Sequence, residues 1–106
     1  MTKVYFSHCG DTFLLTCEGH ANYAEKGKDI VCAGISALCC ALEAALENLS
    51  EINKLKSYLC TATDGSFKAE AAAADGTEVQ TVFETIYNGL CRIESGYCPY
   101  ICCQKN

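Results

Sequence analysis

The chain has 106 residues, half of them apolar, and 13 acidic against 8 basic side chains give it a net charge of −5. A chain of this length has material for one hydrophobic core, so we expect a single domain over residues 1–106. The basic side chains are scattered, and the densest group is Lys54 and Lys56. Because a nucleic-acid-binding surface needs a basic patch, direct binding to RNA or DNA is disfavoured, and a basic peptide is a better candidate partner.

The opening apolar run of the chain becomes polar at Ser7 and His8. This run is too short for the core of a signal peptide, and we expect no segment long enough to span a membrane. The sequence therefore predicts a cytoplasmic protein without a membrane partner.

Ten cysteines in so short a chain would suit a disulfide scaffold in a secreted protein. In a reducing cytoplasm disulfides are rare, and most of these thiols are then expected to be small buried apolar side chains. The spacing also contains no CxxC pair of the kind that binds zinc. We therefore expect no metal site and no cofactor, and a thiol redox or metal-buffering protein is the weakest of the alternatives.

The first half of the chain reads as a hairpin followed by a loop and a helix. Two strand patterns, 2–7 and 12–19, flank turn residues around Gly10. A polar loop runs from residue 20 to residue 28, with Gly27 as its hinge. Apolar residues at steps of three and four then predict a helix over Ile30–Glu51, with Asp29 as its N-cap.

The second half has the same order of elements, two strands followed by a helix. Strand patterns at 54–63 and 66–74 flank Asp64–Gly65, a strong two-residue hairpin signal. A second helix is expected over Glu78–Tyr97, although Gly89 in its interior weakens the pattern. Residues 100–103 can add an edge strand after Pro99. The predicted fold is α+β, in the order ββαββα(β), with a mostly antiparallel sheet and two helices packed on it.

Cys32 in the first turn of the first helix is the candidate nucleophile. It would lie among amides that have no helical partner, at the positive end of the helix dipole, where a thiolate is favoured and an oxyanion could be held. His20 ends the second strand beside this helix start and could serve as base and acid. Ser36 lies one turn further along the same face.

Each of these residues also has a purely structural interpretation. Cys32 could be a packed core thiol, His20 could end a strand, and Ser36 could bond back into its own helix. Asp29 is most simply an N-cap, because acting as a third catalytic residue would require it to leave the cap. His8 competes as the base, but no loop delivers it to the helix.

The stretch from 19 to 38 closely resembles the motif of the ribosomal-processing cysteine proteases, the Prp family. The resemblance is carried by Gly19-His20-Ala21, Gly27, Asp29-Ile30-Val31-Cys32-Ala33 and Ser36-Ala37-Leu38. It extends over essentially the whole chain through length, order of elements and the Tyr97-Cys98-Pro99-Tyr100 tail.

This resemblance implies a cysteine protease with Cys32 as nucleophile, His20 as base, and Asp29 and Ser36 as supporting positions. It also implies a homodimer that removes an N-terminal extension from a large-subunit ribosomal protein, after an aromatic pair that is followed by Ala and basic residues. The loop that would close over the peptide includes Ala21, Asn22, Tyr23 and Gly27. The main alternative is a non-enzymatic ribosome-assembly or peptide-binding module that uses the same cleft only to bind.

Overall fold

A five-stranded sheet with two helices on one face makes up the computed structural model, which describes residues 1–106. The elements follow in the order β1 (Thr2–Cys9), β2 (Thr12–Glu18), α1 (Ile30–Glu51), β3 (Leu55–Thr63), β4 (Ser66–Ala73), α2 (Glu78–Tyr97) and β5 (Ile101–Lys105). The strands lie in the order β3-β4-β2-β1-β5, and only the β1–β5 pair is parallel. The predicted α+β fold is confirmed, with β5 at an edge of the sheet as expected.

Some boundaries differ from the predicted ones by a few residues. β1 continues to Cys9, which pairs with Thr12 of β2. β5 spans Ile101–Lys105 instead of 100–103, because its parallel pairing with β1 extends as far as the Phe6–Lys105 pair. The end of a strand depends on the neighbouring strand with which it pairs, and the residue pattern along a single strand does not predict that neighbour.

The core lies between the sheet and the two helices. Phe6 and Phe13 project from β1 and β2, and both rings stack on Phe83 of α2, with centroids 6.2 and 5.5 Å away. The stripe of α1 that faces the core is the predicted one and consists of Val31, Ile35, Cys39, Leu42, Leu46 and Leu49. Burial of this stripe fixes the rotation of α1, and Cys32 therefore lies at its flank.

The two helices approach closely at glycines. A Cβ on Gly89 of α2 would lie 3.1 Å from Leu38 Cδ1, and one on Gly34 of α1 would lie 3.3 Å from Ile93 Cδ1. Gly89 thus removes a side chain at the helix contact, and α2 continues through it without a break. Its local helix-weakening effect is offset by the packing that it permits.

The expectation that no segment could span a membrane is wrong in one respect. α1 has 22 residues and a mean hydropathy of 1.8 in its most apolar window, so by length and composition alone it could cross a membrane. Core helices of globular proteins have the same property, and the buried stripe of α1 packs against the sheet and α2.

The register of the sheet brings the end of β2 to the start of β4. Glu18 pairs with Ser66, and the Ser66 hydroxyl donates to the Glu18 carboxylate at 3.0 Å. One residue further, the Gly19 amide donates to the Gly65 carbonyl at 2.7 Å. This pairing sets His20, the next residue, against the β3–β4 turn.

Candidate active site

A cleft of about 690 Å³ lies between the N-terminal half of α1, the loop of residues 20–28 and the β3–β4 turn. Cys32, His20 and Ser36 all line it. Its apolar wall includes Ile35 and Phe67, and the charged residues in its lining are Lys26, Asp29, Glu43 and Asp64. The structure therefore brings the two sequence-predicted reactive side chains to one cavity.

Cys32 is held from two sides. Its amide donates to Asp29 Oδ1 at 2.9 Å, and its Sγ accepts from the Ala21 amide at 3.4 Å. The thiol is partly buried, since it lies beside the core stripe of α1 and not within it. An N–H aimed at the sulfur stabilises negative charge there, and this contact was not apparent from the sequence.

The amides at the start of α1 are only partly available. The Cys32 amide is taken by the Asp29 side chain, and the Ala33 amide by the Asp29 carbonyl at 3.0 Å. The amides of Ile30 and Val31 have no hydrogen-bond partner. The predicted set of free donors is therefore reduced to these two helical amides, because the cap itself occupies the others.

His20 lines the cleft beside the β3–β4 turn. Its side chain is 53% exposed, and Nε2 lies 3.8 Å from Asp64 Oδ1. A Cβ on Gly65 would lie 2.9 Å from the same nitrogen, so the imidazole rests on the turn backbone. No hydrogen bond joins the imidazole to Cys32 Sγ in this arrangement. The residues beside His20 come from a distant hairpin, and Asp64 was predicted only as a turn residue.

Asp29 is the N-cap of α1, as predicted. Besides the Cys32 amide, its carboxylate accepts from the amides of Tyr23 at 2.9 Å and Ala24 at 3.3 Å. The hydrogen bond from the Cys32 amide, with smaller contributions from the other two, holds the pKa of this carboxyl below its ordinary value. Both oxygens are thus engaged with backbone, and Asp29 has no contact with His20.

Ser36 is exposed on the cleft side of α1, one turn beyond Cys32. Its hydroxyl makes no hydrogen bond within the chain, neither back to the helix nor to His20. The structure places it where a bound peptide could meet it.

The predicted substrate loop divides into two kinds of residue. Asn22 and Gly27 line the cleft. Ala21 is only 1% exposed, so its methyl group belongs to the core and only its amide faces the thiol. Tyr23 turns away from the cleft and packs edge-on against Tyr97 and Tyr100, with centroids 5.4 and 5.1 Å away.

Three other thiols line the cleft, of which Cys17 and Cys39 are buried and Cys40 is exposed further along α1. The Sγ atoms of Cys17 and Cys39 lie 3.7 Å apart in the core, and this hydrogen bond together with burial raises the pKa of the Cys17 thiol far above its ordinary value. Burial raises the pKa of Cys60 to about 11 and that of Cys103 to about 12. The thiols of Cys17, Cys60 and Cys103 therefore stay protonated near neutral pH. No group of three or more His, Cys, Asp or Glu side chains has a metal-binding arrangement.

Comparisons with known proteins agree with this architecture. Two structures of the ribosomal processing protease Prp from S. aureus, one with a covalently linked product peptide and one with a substrate peptide, each share 24% identity with this chain over the full length of both chains, with TM-scores of 0.81 and 0.71. SMU.848 from Streptococcus mutans is also 24% identical, with a TM-score of 0.69 over 99% of this chain and 93% of its own. No curated protein matches the sequence.

At this level of identity the solved structures show a shared fold, and family membership rests on the sequence. The family model described as cysteine protease Prp matches residues 1–102, which is nearly the whole chain and includes every residue of the cleft. The chain is a member of the cysteine protease Prp family.

Proposed function

We propose that this protein is a cysteine endopeptidase in which Cys32 is the nucleophile and His20 is the general base and acid. One observation carries this assignment: a partly buried thiol in the first turn of α1 accepts an amide hydrogen bond and shares a cleft with a half-exposed imidazole. A positioned thiol, a nearby base and unpaired amides are the groups that acyl transfer requires.

The reaction begins when a peptide enters the cleft and the loop of residues 21–28 rearranges over it. His20 then approaches Cys32 and takes the thiol proton, and the thiolate attacks the scissile carbonyl. The oxyanion forms near the positive end of α1, where the amides of Ile30 and Val31 have no partner within the chain, although neither residue lines the cleft of the free protein. His20 protonates the leaving amine, and water afterwards hydrolyses the thioester, which regenerates the thiol.

The proposed substrate is the N-terminal extension of a large-subunit ribosomal protein, cut after an aromatic pair that is followed by Ala and basic residues. Ribosomal processing is the described role of the related S. aureus protease. The apolar wall of the cleft, with Ile35 and Phe67, suits aromatic side chains. The carboxylate of Glu43 on the same cleft suits a basic peptide.

A synthetic peptide with two Phe residues followed by Ala and Lys tests this proposal. We expect the reduced protein to cut it after the second Phe, and Cys32→Ala and Cys32→Ser to reduce cleavage by at least a thousandfold while circular dichroism stays unchanged. Cys9→Ala is the matched control, because this exposed thiol lies at the far end of β1. Full cleavage by Cys32→Ala would exclude the assignment. Binding of the peptide without cleavage by the wild type would favour the peptide-binding alternative.

We also propose that the protein acts as a homodimer in the cytoplasm. An exposed edge supports the dimer: β3 borders the sheet with one side unpaired, and it exposes 38% of Tyr58 and 55% of Leu59. Ten free thiols support a reducing compartment.

A further inference from the structure

We infer that Asp64, in the β3–β4 turn, is a positioning residue for His20: it holds the imidazole so that Nδ1 is left free to receive the Cys32 proton. This inference rests on the proposed function. It adds Asp64 to Cys32 and His20 as a third residue of the site, which neither the motif nor the spacing of the sequence indicates.

The turn and the end of β2 form one connected unit. The Gly19 amide donates to the Gly65 carbonyl at 2.7 Å, and the Thr2 hydroxyl donates to the Gly19 carbonyl at 2.9 Å. Gly19 has a φ of 91°, and a Cβ there would lie 2.8 Å from the Met1 carbonyl oxygen, so only glycine fits this crossing. His20 therefore leaves the strand at a fixed place beside Asp64.

The imidazole fits closely against the turn. A Cβ on Gly65 would lie 2.9 Å from Nε2 and 3.3 Å from the neighbouring ring carbons. The open side of this glycine is thus occupied by the ring. Beyond it, Asp64 Oδ1 faces the same nitrogen at 3.8 Å.

This contact distinguishes the two ring nitrogens. Nε2 is the distal nitrogen and faces the carboxylate, whereas Nδ1 is next to Cγ, on the main-chain side. The following residue, Ala21, places its amide 3.4 Å from Cys32 Sγ, so the main chain at His20 passes beside the thiol. A carboxylate near Nε2 favours the tautomer that carries its proton there, which leaves the Nδ1 lone pair to accept a proton.

The charge of Asp64 also matters during the reaction. When Nδ1 takes the thiol proton, the ring becomes an imidazolium beside a carboxylate. Both side chains are largely open to water, 53% for His20 and 80% for Asp64, so the pair contributes little to stability in the free protein. A peptide that covers the cleft displaces this water and strengthens the attraction. Asp29 cannot take this role, because backbone amides occupy both of its oxygens.

Two substitutions of Asp64 and one control substitution elsewhere, all measured on the proposed peptide, separate orientation of His20 from folding. Positive φ in this turn belongs to Gly65 and not to Asp64, so Ala is tolerated at 64 without backbone strain. We expect Asp64→Ala to lower kcat about fivefold with KM nearly unchanged. Asp64→Glu, which keeps the carboxylate, should recover most of this loss. Asp75→Ala is the control, because it removes an exposed carboxylate from the loop that follows β4.

A second readout does not depend on cleavage. The chain has only two histidines, so nitrogen NMR of labelled imidazoles resolves both. We expect His20 in the wild type to carry its proton on Nε2, and Asp64→Ala to shift it toward a tautomer mixture. His8, whose Nε2 bonds to the Gly10 carbonyl at 2.8 Å, should not change.

Different results would overturn the positioning role of Asp64 and the proposed function. If the wild type cuts the peptide but Asp64→Ala matches Asp75→Ala in kcat and in the His20 signals, the positioning role is overturned. If the wild type cuts no peptide, the proposed function is overturned, and the imidazole signals alone still decide whether Asp64 orients His20.

Discussion

The Asp29 carboxylate accepts hydrogen bonds from both sides of the cleft entrance, from the Cys32 amide in α1 and from the Tyr23 and Ala24 amides in the loop. One side chain thus caps the helix that carries the proposed nucleophile and tethers the loop that is proposed to close over a peptide. Aspartate suits the position better than serine, because its two oxygens accept from three amides, whereas a serine hydroxyl has one oxygen with two acceptor lone pairs.

Removing this carboxylate should loosen the loop and the helix start together. Because the folded-state pKa of Asp29 lies below its ordinary value, its stabilisation is complete above pH of about 4 and is lost as the pH falls through the lower folded-state pKa. We therefore expect Asp29→Asn to have a lower melting temperature than the wild type at pH 6, with a difference that shrinks as the pH falls below about 4 and the carboxylate becomes protonated.

Thermal unfolding across this pH range measures the difference. Asp75→Asn is the control for the loss of one negative charge. A gap between wild type and Asp29→Asn that stays constant with pH would mean that the three amide contacts do not stabilise the folded state.

The contrast between Asp29 and Asp64 shows which contacts of the site a sequence reveals. The Asp29 cap is a local interaction over three residues, and cap preferences predict it directly. The contact of Asp64 with His20 depends on the pairing of β2 with β4, in which Glu18 lies opposite Ser66. No local preference specifies that register, so Asp64 was predicted only as part of a turn. The Ala21 amide at the Cys32 sulfur was missed for the same reason.

At the scale of elements, the contact between α1 and α2 is set by small residues. Gly89 weakened the predicted pattern of α2 because glycine is a poor helix former, yet the helix runs through it. Leu38 of α1 fills the space that a side chain on Gly89 would need. Helix propensity alone therefore argued against Gly89 in a helix, because the role of this glycine lies in tertiary packing. The 3.6-residue period nevertheless predicted the helix and its buried face.

A double-mutant cycle tests this contact. Gly89→Ala gains helix propensity of about 1 kcal/mol but brings the new methyl group against Leu38. We expect a stabilisation near this value in a Leu38→Ala background and a clearly smaller one in the wild type, measured by urea unfolding. Gly96→Ala is the control, because a Cβ there meets nothing within 4 Å. Equal effects of Gly89→Ala in both backgrounds would show that the helices do not meet as described.

At the scale of the whole molecule, the sheet order leaves β3 and β5 at the edges. The order ββαββα(β) was predictable from turns and periodicities, but the neighbours β2 and β4 were not, because strand pairing across a helix is not recorded in any local pattern. The consequence is functional, since this pairing closes one end of the cleft.

The exposed β3 edge leads to a prediction about assembly. If two copies meet along this edge, Leu59→Lys should convert the proposed dimer to a monomer, because a charge at an unpaired edge disfavours edge-to-edge pairing. Light scattering coupled to size exclusion measures the mass, which for one chain is 11.4 kDa. Lys105→Glu on β5, the opposite edge, is the control. A wild type that runs as a monomer at micromolar concentration would contradict the dimer proposal.

The central claim is that Cys32 carries the acyl group of the cut peptide. Acid quenching of the protein during turnover of the Phe-Phe-Ala-Lys peptide, followed by tandem mass spectrometry, locates that group among the ten cysteines. The account predicts the N-terminal product joined through a thioester to Cys32 and to no other thiol. Peptide cleavage with the product on a different cysteine, or with full activity in Cys32→Ala, would contradict it.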